Sequence, residues 1–388
     1  MLVCSNKGEA VTSGAEIIQE RTIVPFFDPG PSFAVLKSTL IDEIAELIDS
    51  GAFINGPQVG AFETAFADYC GANHCVGVAS GLDALRLALI AGGLEPGDEV
   101  IVPANTFVAT LEAVTQAGGV PVLADIAESD WNIDPTAVEA ALTERTRFLM
   151  PVHLYGQMAD MRALRAIAER AGIAIIEDAC QAHGAERDGL RAGASGLAAG
   201  FSFYPAKNLG AMGDAGALVT IDPELAAISR ALREHGQTRK YHHEREGFTA
   251  RLDTIQAIVL LHKLPLLDRW TAERRAAAAA YSEALEGVGD LVLPNVAEGS
   301  EPVWHLYVVR TDEPERMAQF LDERGVKTGR HYPEPAHLSP AYAGLGHARG
   351  SFPVTEQLAG GLLSLPIFPG ISEGQITGVV DAVTEYFA

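Results

Sequence analysis

The chain is short of positive charge. Its 388 residues hold 28 lysines and arginines against 51 aspartates and glutamates, a formal charge of −23. That balance excludes the footprint of a nucleic-acid binder and of a protein held on an anionic membrane surface. If the substrate is anionic, a local basic patch must capture it against the global field. Cysteine is scarce too. Cys4, Cys70, Cys75 and Cys180 follow neither zinc-ligand nor Cys-X-X-Cys spacing, so no metal site is expected, only reduced thiols in a cytoplasmic protein. No hydrophobic run approaches a membrane span. Residues 1–22 lack the apolar stretch of a signal peptide and are expected to form a poorly ordered extension. The 39 glycines and 21 prolines are dispersed, which fits many short loops rather than low complexity.

What is present is an alternation. Leu36, Leu40, Ile44, Leu47 and Ile48 repeat at helical spacing and Gly51 closes that helix. Strands are expected at 75–79, 99–102, 120–124, 148–152 and 173–177, separated by helices at 82–91, 107–117, 135–142 and 161–171. This pattern predicts an α/β fold, a large domain with a mostly parallel sheet flanked by helices. Ligands of such sheets sit beyond the carboxyl ends of the strands, where Ser80-Gly81, Asn105-Thr106-Phe107, His153 and Asp178 cluster. After Asp222 the pattern changes to helices at 223–235, 254–264 and 272–285, strand character at 305–309 and 327–332, and a closing helix from Glu373. The expected division is a large domain, 23–250, and a smaller C-terminal α+β domain, 251–388.

Two segments carry the chemistry. Ile175-Ile176-Glu177-Asp178 reads as a buried strand ending in a carboxylate, and Phe201-Ser202-Phe203-Tyr204-Pro205-Ala206-Lys207 delivers a lysine into a Gly-bearing turn. An acid able to hold a pyridinium nitrogen, with an amine able to form an imine, is what pyridoxal phosphate asks of a protein. Lys207 in an apolar pocket deprotonates readily, as attack on a carbonyl requires. Asp178, buried without a cation, needs a permanent partner such as a protonated pyridine; otherwise it is a helix N-cap. Ser80-Gly81 offers backbone amides to a phosphate, or is an ordinary cap. Phe107 either stacks on a cofactor ring or belongs to the core. Arg239, Lys240, His242 and His243 form a concentrated basic stretch, either a solvated loop or a diphosphate clamp.

These residues resemble the DegT/DnrJ/EryC1/StrS family of pyridoxal-phosphate-dependent sugar aminotransferases, of the aspartate-aminotransferase fold (fold type I). The resemblance runs from Val24-Pro25-Phe26-Phe27-Asp28 to the C-terminus. It passes through Asn55-Gly56-Pro57, Ser80-Gly81-Leu82-Asp83-Ala84-Leu85, Pro103 to Thr110, Val152-His153-Leu154-Tyr155-Gly156, the aspartate and lysine blocks, Arg251-Leu252-Asp253, and His331-Tyr332-Pro333. It implies pyridoxal 5′-phosphate as cofactor, with pyridoxamine phosphate between the two half-reactions. Lys207 then forms the imine with the cofactor and Asp178 binds its ring nitrogen. Gln181 is at the 3′-oxygen, Gly81, Leu82 and Ser202 at the phosphate, and Phe107 on the ring. The resemblance further implies a homodimer with shared sites, the loop around 239–251 reaching into the neighbour. Tyr155, His183, Arg239, Lys240, Tyr241, His331 and Tyr332 would meet the sugar nucleotide.

Two positions depart from the family pattern. Thr249 stands where members usually carry the asparagine that donates to the partner's cofactor phosphate, and Leu82 stands where many carry threonine. The Val-His-Leu-Tyr-Gly, Arg-Lys-Tyr and His-Tyr-Pro blocks are most similar to members that aminate carbon 3 of dTDP-keto-deoxysugars, with L-glutamate as donor, in antibiotic or surface-glycan pathways. The alternatives are a carbon-4 aminotransferase, a sugar dehydratase, against which Lys207 speaks because 3-deoxygenating members carry histidine there, and a non-catalytic sensor.

Overall fold

The computed structural model describes residues 23–388; the expectations for residues 1–22 lie outside them. Seven strands form the central sheet in the order 74–78, 216–220, 198–202, 174–178, 146–149, 99–103, 120–124. The four strands from Glu99–Pro103 to Ala174–Asp178 and the strand Ala198–Ser202 pair in parallel. Gly216–Thr220 runs antiparallel to both neighbours. The strand–helix alternation gives no sign of it, nor of Ala198–Ser202. The reversal has a simple cause. Parallel neighbours need a crossover helix, and residues 203–215 return as a loop, which is the loop that carries Lys207.

The helices follow their periodic faces and caps. Met161–Ala171 begins where Asp160 accepts from the Ala163 amide at 3.0 Å and ends at left-handed Gly172. Lys37–Ser50 likewise stops at left-handed Gly51. The helix expected from residue 107 begins at Ala109, which leaves Phe107 outside it. One expectation fails: residues 327–332 form no strand, only single bridges from Val326 to Val24 and from Gly329 to Ser364. Arg330 Nε takes the carbonyl of Leu362 (3.0 Å), the acceptor that a ladder continued from Gly329 and Ser364 would need, and Nη2 takes the Ala359 carbonyl of the preceding helix (2.9 Å). Leu362–Leu365 pairs with Tyr307–Arg310 instead.

Because side chains alternate along a strand, Ile175 and Ile176 enter different cores. One contains Phe62, Phe66, Phe201 and Phe203, the other Leu85, Val100 and Phe148. Phe66 meets Phe201 and Phe203 edge-on at 5.1 Å each, which anchors the strand leading to Lys207. Helix Thr254–Lys263 puts Ala257 and Leu260 into the first core. A third core gathers Val24, Tyr281, Tyr307, Leu321, Leu363 and Val379. Among the described residues no helix is long and apolar enough to cross a membrane.

Gly216 is where the antiparallel strand crosses the start of helix Gly81–Ala91. A Cβ there would lie 2.3 Å from the Ser80 carbonyl oxygen and 2.7 Å from the Gly81 nitrogen. Gly216→Ala is therefore expected to cost about 1–3 kcal/mol, read as a lower urea midpoint. An unchanged midpoint would contradict this crossing.

Candidate active site

The strand Ala174–Asp178 ends in two buried carboxylates on opposite faces. Glu177 faces the first core and accepts from the amides of Gly193 (3.0 Å), Ser195 (2.7 Å) and Gly196 (2.8 Å) and from His153 Nε2 (2.9 Å). The Ala159 amide donates to His153 Nδ1 at 3.3 Å, so the imidazole proton sits on Nε2. Asp178 faces the other way. Thr110 Oγ1 donates to its Oδ2 at 2.7 Å, the Cys180 amide donates to its Oδ1 at 3.2 Å, and Thr106 Oγ1 backs Thr110 at 2.7 Å. Both readings of Asp178 thus meet in one residue: one oxygen caps the following turn, and the carboxylate lines a cavity.

Lys207 is fixed by the loop that bears it. Its amide donates to Tyr204 O (2.8 Å), the Ala211 amide donates to Phe203 O (2.8 Å), and Asn208 Nδ2 donates to Val303 O (2.8 Å). Gly210 is required there, because a Cβ would stand 2.3 Å from Pro205 O. Burial pulls the Lys207 ammonium below the usual lysine range, opposed by Cys180 and Asp178. His305 Nε2 lies 3.5 Å from its Nζ.

A cavity of about 590 Å³ gathers Gly81, Leu82, Phe107, Asp178, Gln181, Ser202, Lys207, His331 and Tyr332 at its wall. Ser80 caps the helix, accepting from the Asp83 amide at 3.0 Å. The first amides, Gly81 and Leu82, lack intrahelical acceptors. A Cβ on Gly81 would lie 2.7 Å from Ser202 Cβ, so this helix end rests against Ser202. Gln181 accepts from the Tyr155 amide (2.8 Å) and donates to Tyr332 Oη (3.2 Å); Phe107, half exposed, meets Tyr332 at 5.3 Å between ring centroids.

The other expected residues do not join this wall. Tyr155 lies behind it, its hydroxyl donating to His331 O. His183 is fully buried beneath it, Nε2 donating to Ser202 O at 2.9 Å. Arg239, Lys240 and Tyr241 sit on an exposed hairpin, Gln237–Arg239 with His242–His243, and Arg239 and Lys240 line a separate cleft with Asn55 and Glu234. Thr249 is exposed, its hydroxyl 3.1 Å from His235 Nε2. The fold also brings to the wall residues to which the sequence assigns no role: Thr110, Cys180, Asp214, Arg274 and His305. Thr110 and Cys180 lie within motif blocks, whereas Arg274 lies in a helix with no local signature.

A model of the DegT/DnrJ/EryC1/StrS aminotransferase family matches residues 35–384. The chain belongs to this family. It is 49% identical over 363 residues to a dTDP-3-amino-3,4,6-trideoxy-alpha-D-glucose transaminase of Streptomyces venezuelae, covering 94% of this chain and 96% of that one. It is also 49% identical over 349 residues to the erythromycin biosynthesis sensory transduction protein EryC1 of Saccharopolyspora erythraea, covering 90% and 95%. The crystal structure of S. venezuelae DesV with a ketimine intermediate superposes with a TM-score of 0.92 at 49% identity, covering 94% of this chain and 98% of that one. Relatives at 40–49% identity that are named for a sugar-nucleotide transamination place the exchanged group at carbon 3. Further solved structures at 25–31% identity are pyridoxamine- or pyridoxal-phosphate forms. This family member is a pyridoxal-phosphate-dependent aminotransferase.

The donor set fits that cofactor. A buried carboxylate held by a hydroxyl and an amide suits a cationic ring nitrogen. The amides of Gly81 and Leu82, packed on Ser202, suit a phosphate.

Burial, with Lys207 adding to it, pushes His183 down to about 3 and His331 down to about 4, and drives His305 well below its usual range. In the unfolded chain each titrates near about 6.5. As pH falls from about 6.5 towards about 4, the unfolded state binds the protons and the native state does not. Stability therefore falls as the solution is acidified, by about 1.4 kcal/mol per pH unit for each such histidine. The apparent thermal midpoint is expected to drop across this window, and less steeply in His331→Gln. Identical slopes would show that His331 is not held neutral.

Proposed function

We propose that this chain transfers an amino group from L-glutamate to carbon 3 of a nucleotide-diphosphate keto-deoxysugar, a dTDP-3-keto-6-deoxyhexose. The observation that carries the reading is the convergence of Lys207 and Asp178 on one cavity, at the carboxyl end of strand Ala174–Asp178. The carbon-3 relatives support the position of transfer. A carbon-4 enzyme of the same family is the runner-up.

In this reading Asp178 holds the cofactor's ring nitrogen, and Gln181 sits at the 3′-oxygen. Gly81, Leu82 and Ser202 take the phosphate and Phe107 lies on the ring. When bound, pyridoxal phosphate supplies the electron sink that lets a Cα–H bond of the donor break. Lys207 Nζ takes that proton as general base and returns it as general acid, and reverses the transfer for the sugar. The lowered affinity of Lys207 for its own proton suits both directions. Thr106, Thr110 and the Cys180 amide fix Asp178 so that its charge faces the cavity throughout. His331 and Tyr332 exclude water from the cavity and meet the sugar, Tyr155 supports them from behind through the His331 carbonyl, and His183 supports Ser202 through its carbonyl.

The exposed hairpin belongs to the same proposal. Arg239, Lys240 and Tyr241, with Thr249, serve the site of a second copy in a homodimer, which explains why they stand apart from the cavity of their own chain. Residues 23–250 carry the cofactor and 251–388 close over it, in a cytoplasmic enzyme of amino-sugar and antibiotic biosynthesis.

The name of the EryC1 relative raises the sensor reading. Turnover separates the two. L-Glutamate is expected to shift the visible cofactor band of this protein; a sensor leaves it in place. Lys207→Ala is expected to abolish turnover and the covalent adduct that borohydride fixes at this residue in the wild type. Asp178→Asn should cost about 10²–10³-fold in rate. Running the reverse reaction on amino-sugar nucleotides with 2-oxoglutarate, read by NMR, decides the carbon: oxidation at carbon 4 alone would overturn the assignment. Full activity of Lys207→Ala would overturn the mechanism.

A further inference from the structure

Lys263 is a buried cation that lies off the cavity wall. It ends the helix Thr254–Lys263 and is 4% exposed. Its ammonium stands 4.4 Å from the ring centre of Phe33 and 5.6 Å from that of Trp270, faces that attract a cation. Among the described residues no carboxylate neutralises it. Glu43, on the helix packed against it, takes His262 (2.7 Å), and Asp268 takes Tyr69 Oη (2.8 Å). Burial alone brings the Lys263 ammonium down to about 8, so it is still charged at neutral pH. Burying a lysine without an anion is costly, and a methionine would fill such an aromatic slot without that cost. What the charge serves is a hydrogen bond from Nζ to the Gly210 carbonyl at 2.6 Å.

That carbonyl belongs to the loop that bears Lys207. The Gly210 carbonyl and the Ala211 amide share one planar peptide unit. Lys263 grips the unit at its oxygen, and at its nitrogen the unit donates to Phe203 O at 2.8 Å. The bond from Ala211 to Phe203 closes residues 203–211 into a ring with Lys207 inside it. An ammonium on the oxygen polarises the peptide and strengthens the bond made by its N–H. The same helix supplies a second tie beside the first, where the Met212 amide donates to Gln256 Oε1 at 2.9 Å. Charge is not the route from Lys263 to Lys207, whose affinity for its proton is set by burial, Cys180 and Asp178. The link runs through the backbone.

From this geometry we infer that Lys263 is a positioning residue, which grips the Gly210 carbonyl and thereby keeps the loop of Lys207 rigid while its amine moves protons. The inference rests on the aminotransferase reading above for the task of Lys207; the grip on the loop does not. A reacting amine on a flexible four-carbon stem is only as well placed as the backbone beneath it. Lys263 acts at that backbone and touches neither the cavity nor what binds there.

The test compares wild type with Lys263→Met and Lys263→Arg, each shown to be folded by circular dichroism and to hold the cofactor by its absorbance. Val379→Ala, in the third core, serves as a variant destabilised elsewhere. At saturating L-glutamate, the single-turnover rate of cofactor-band conversion is expected to fall about ten- to a hundredfold in Lys263→Met. The glutamate concentration that gives half the maximal rate should stay as in wild type. Lys263→Arg should recover part of the rate, and Val379→Ala should keep it. In cofactor-free protein, hydrogen exchange over residues 203–212 is expected to quicken in Lys263→Met and not in Val379→Ala. If Lys263→Met keeps both its rate and its exchange, or if Val379→Ala loses rate to the same extent, the inference is overturned. A loss that appears only in the half-saturating concentration overturns it too. Should Lys263→Met fail to fold, Gln256→Met, which removes the second tie, takes its place: unchanged rate and exchange overturn the inference, and a slower rate with faster exchange supports it. A wild type whose cofactor band ignores glutamate would instead overturn the aminotransferase reading, and the exchange comparison alone then decides the grip.

Discussion

The fold depends on burying two neighbouring carboxylates in opposite directions at the end of one strand. Glu177 is satisfied entirely by protein, through three amides and His153. It ties the segment 193–196 to the strand and fixes the strand's rotation. With that rotation fixed, Asp178 has to face the cavity, where a hydroxyl and an amide hold it but supply no countercharge. Removing one partner of a buried charge is far costlier than never burying it. The site is therefore built around an anion that is complete only when a cation is bound, which is the property a pyridinium-binding carboxylate needs.

The same restraint appears across the cavity. Lys207 and Arg274 are both cations in a protein with a large acidic surplus, and among the described residues neither is neutralised by a salt bridge. The histidines near them, His183, His305 and His331, are held neutral by burial and by the Lys207 charge. Positive charge is thus confined to two points, one at the reacting amine and one beside it. The surrounding rings and amides add shape without adding charge. A low-dielectric wall makes each of those two charges count for more than it would at the surface.

Much of this is legible in the chain. The strand ending at Asp178 and the lysine turn are local patterns, and local patterns of polarity and spacing survive without knowledge of the fold. Glu177 is instructive for the opposite reason: a second acid in an apolar run looks like part of the same motif, and only strand alternation with named amide donors separates its task from that of Asp178. The sequence pattern also suggests a strand at 327–332, where Arg330 consumes the Leu362 carbonyl that such a strand would use. The basic stretch at 239–243 reads as a substrate clamp, yet it stands apart from the cavity of its own chain. A charge run shows where cations are dense and nothing about which surface they face.

The sequence by itself determined the family, the α/β alternation and the paired acid and amine, because each is written in residues close along the chain. The tertiary structure decided which side chains share the cavity: Thr110 behind Asp178, His305 beside Lys207, and Arg274 arriving from a helix far downstream. Those neighbours are brought together by strand order and by closure of distant segments, and no local pattern encodes a contact across such separations. The antiparallel return of Gly216–Thr220 belongs with them, since it is the absence of a crossover helix, seen only in the assembled sheet, that aims the lysine loop at the acid.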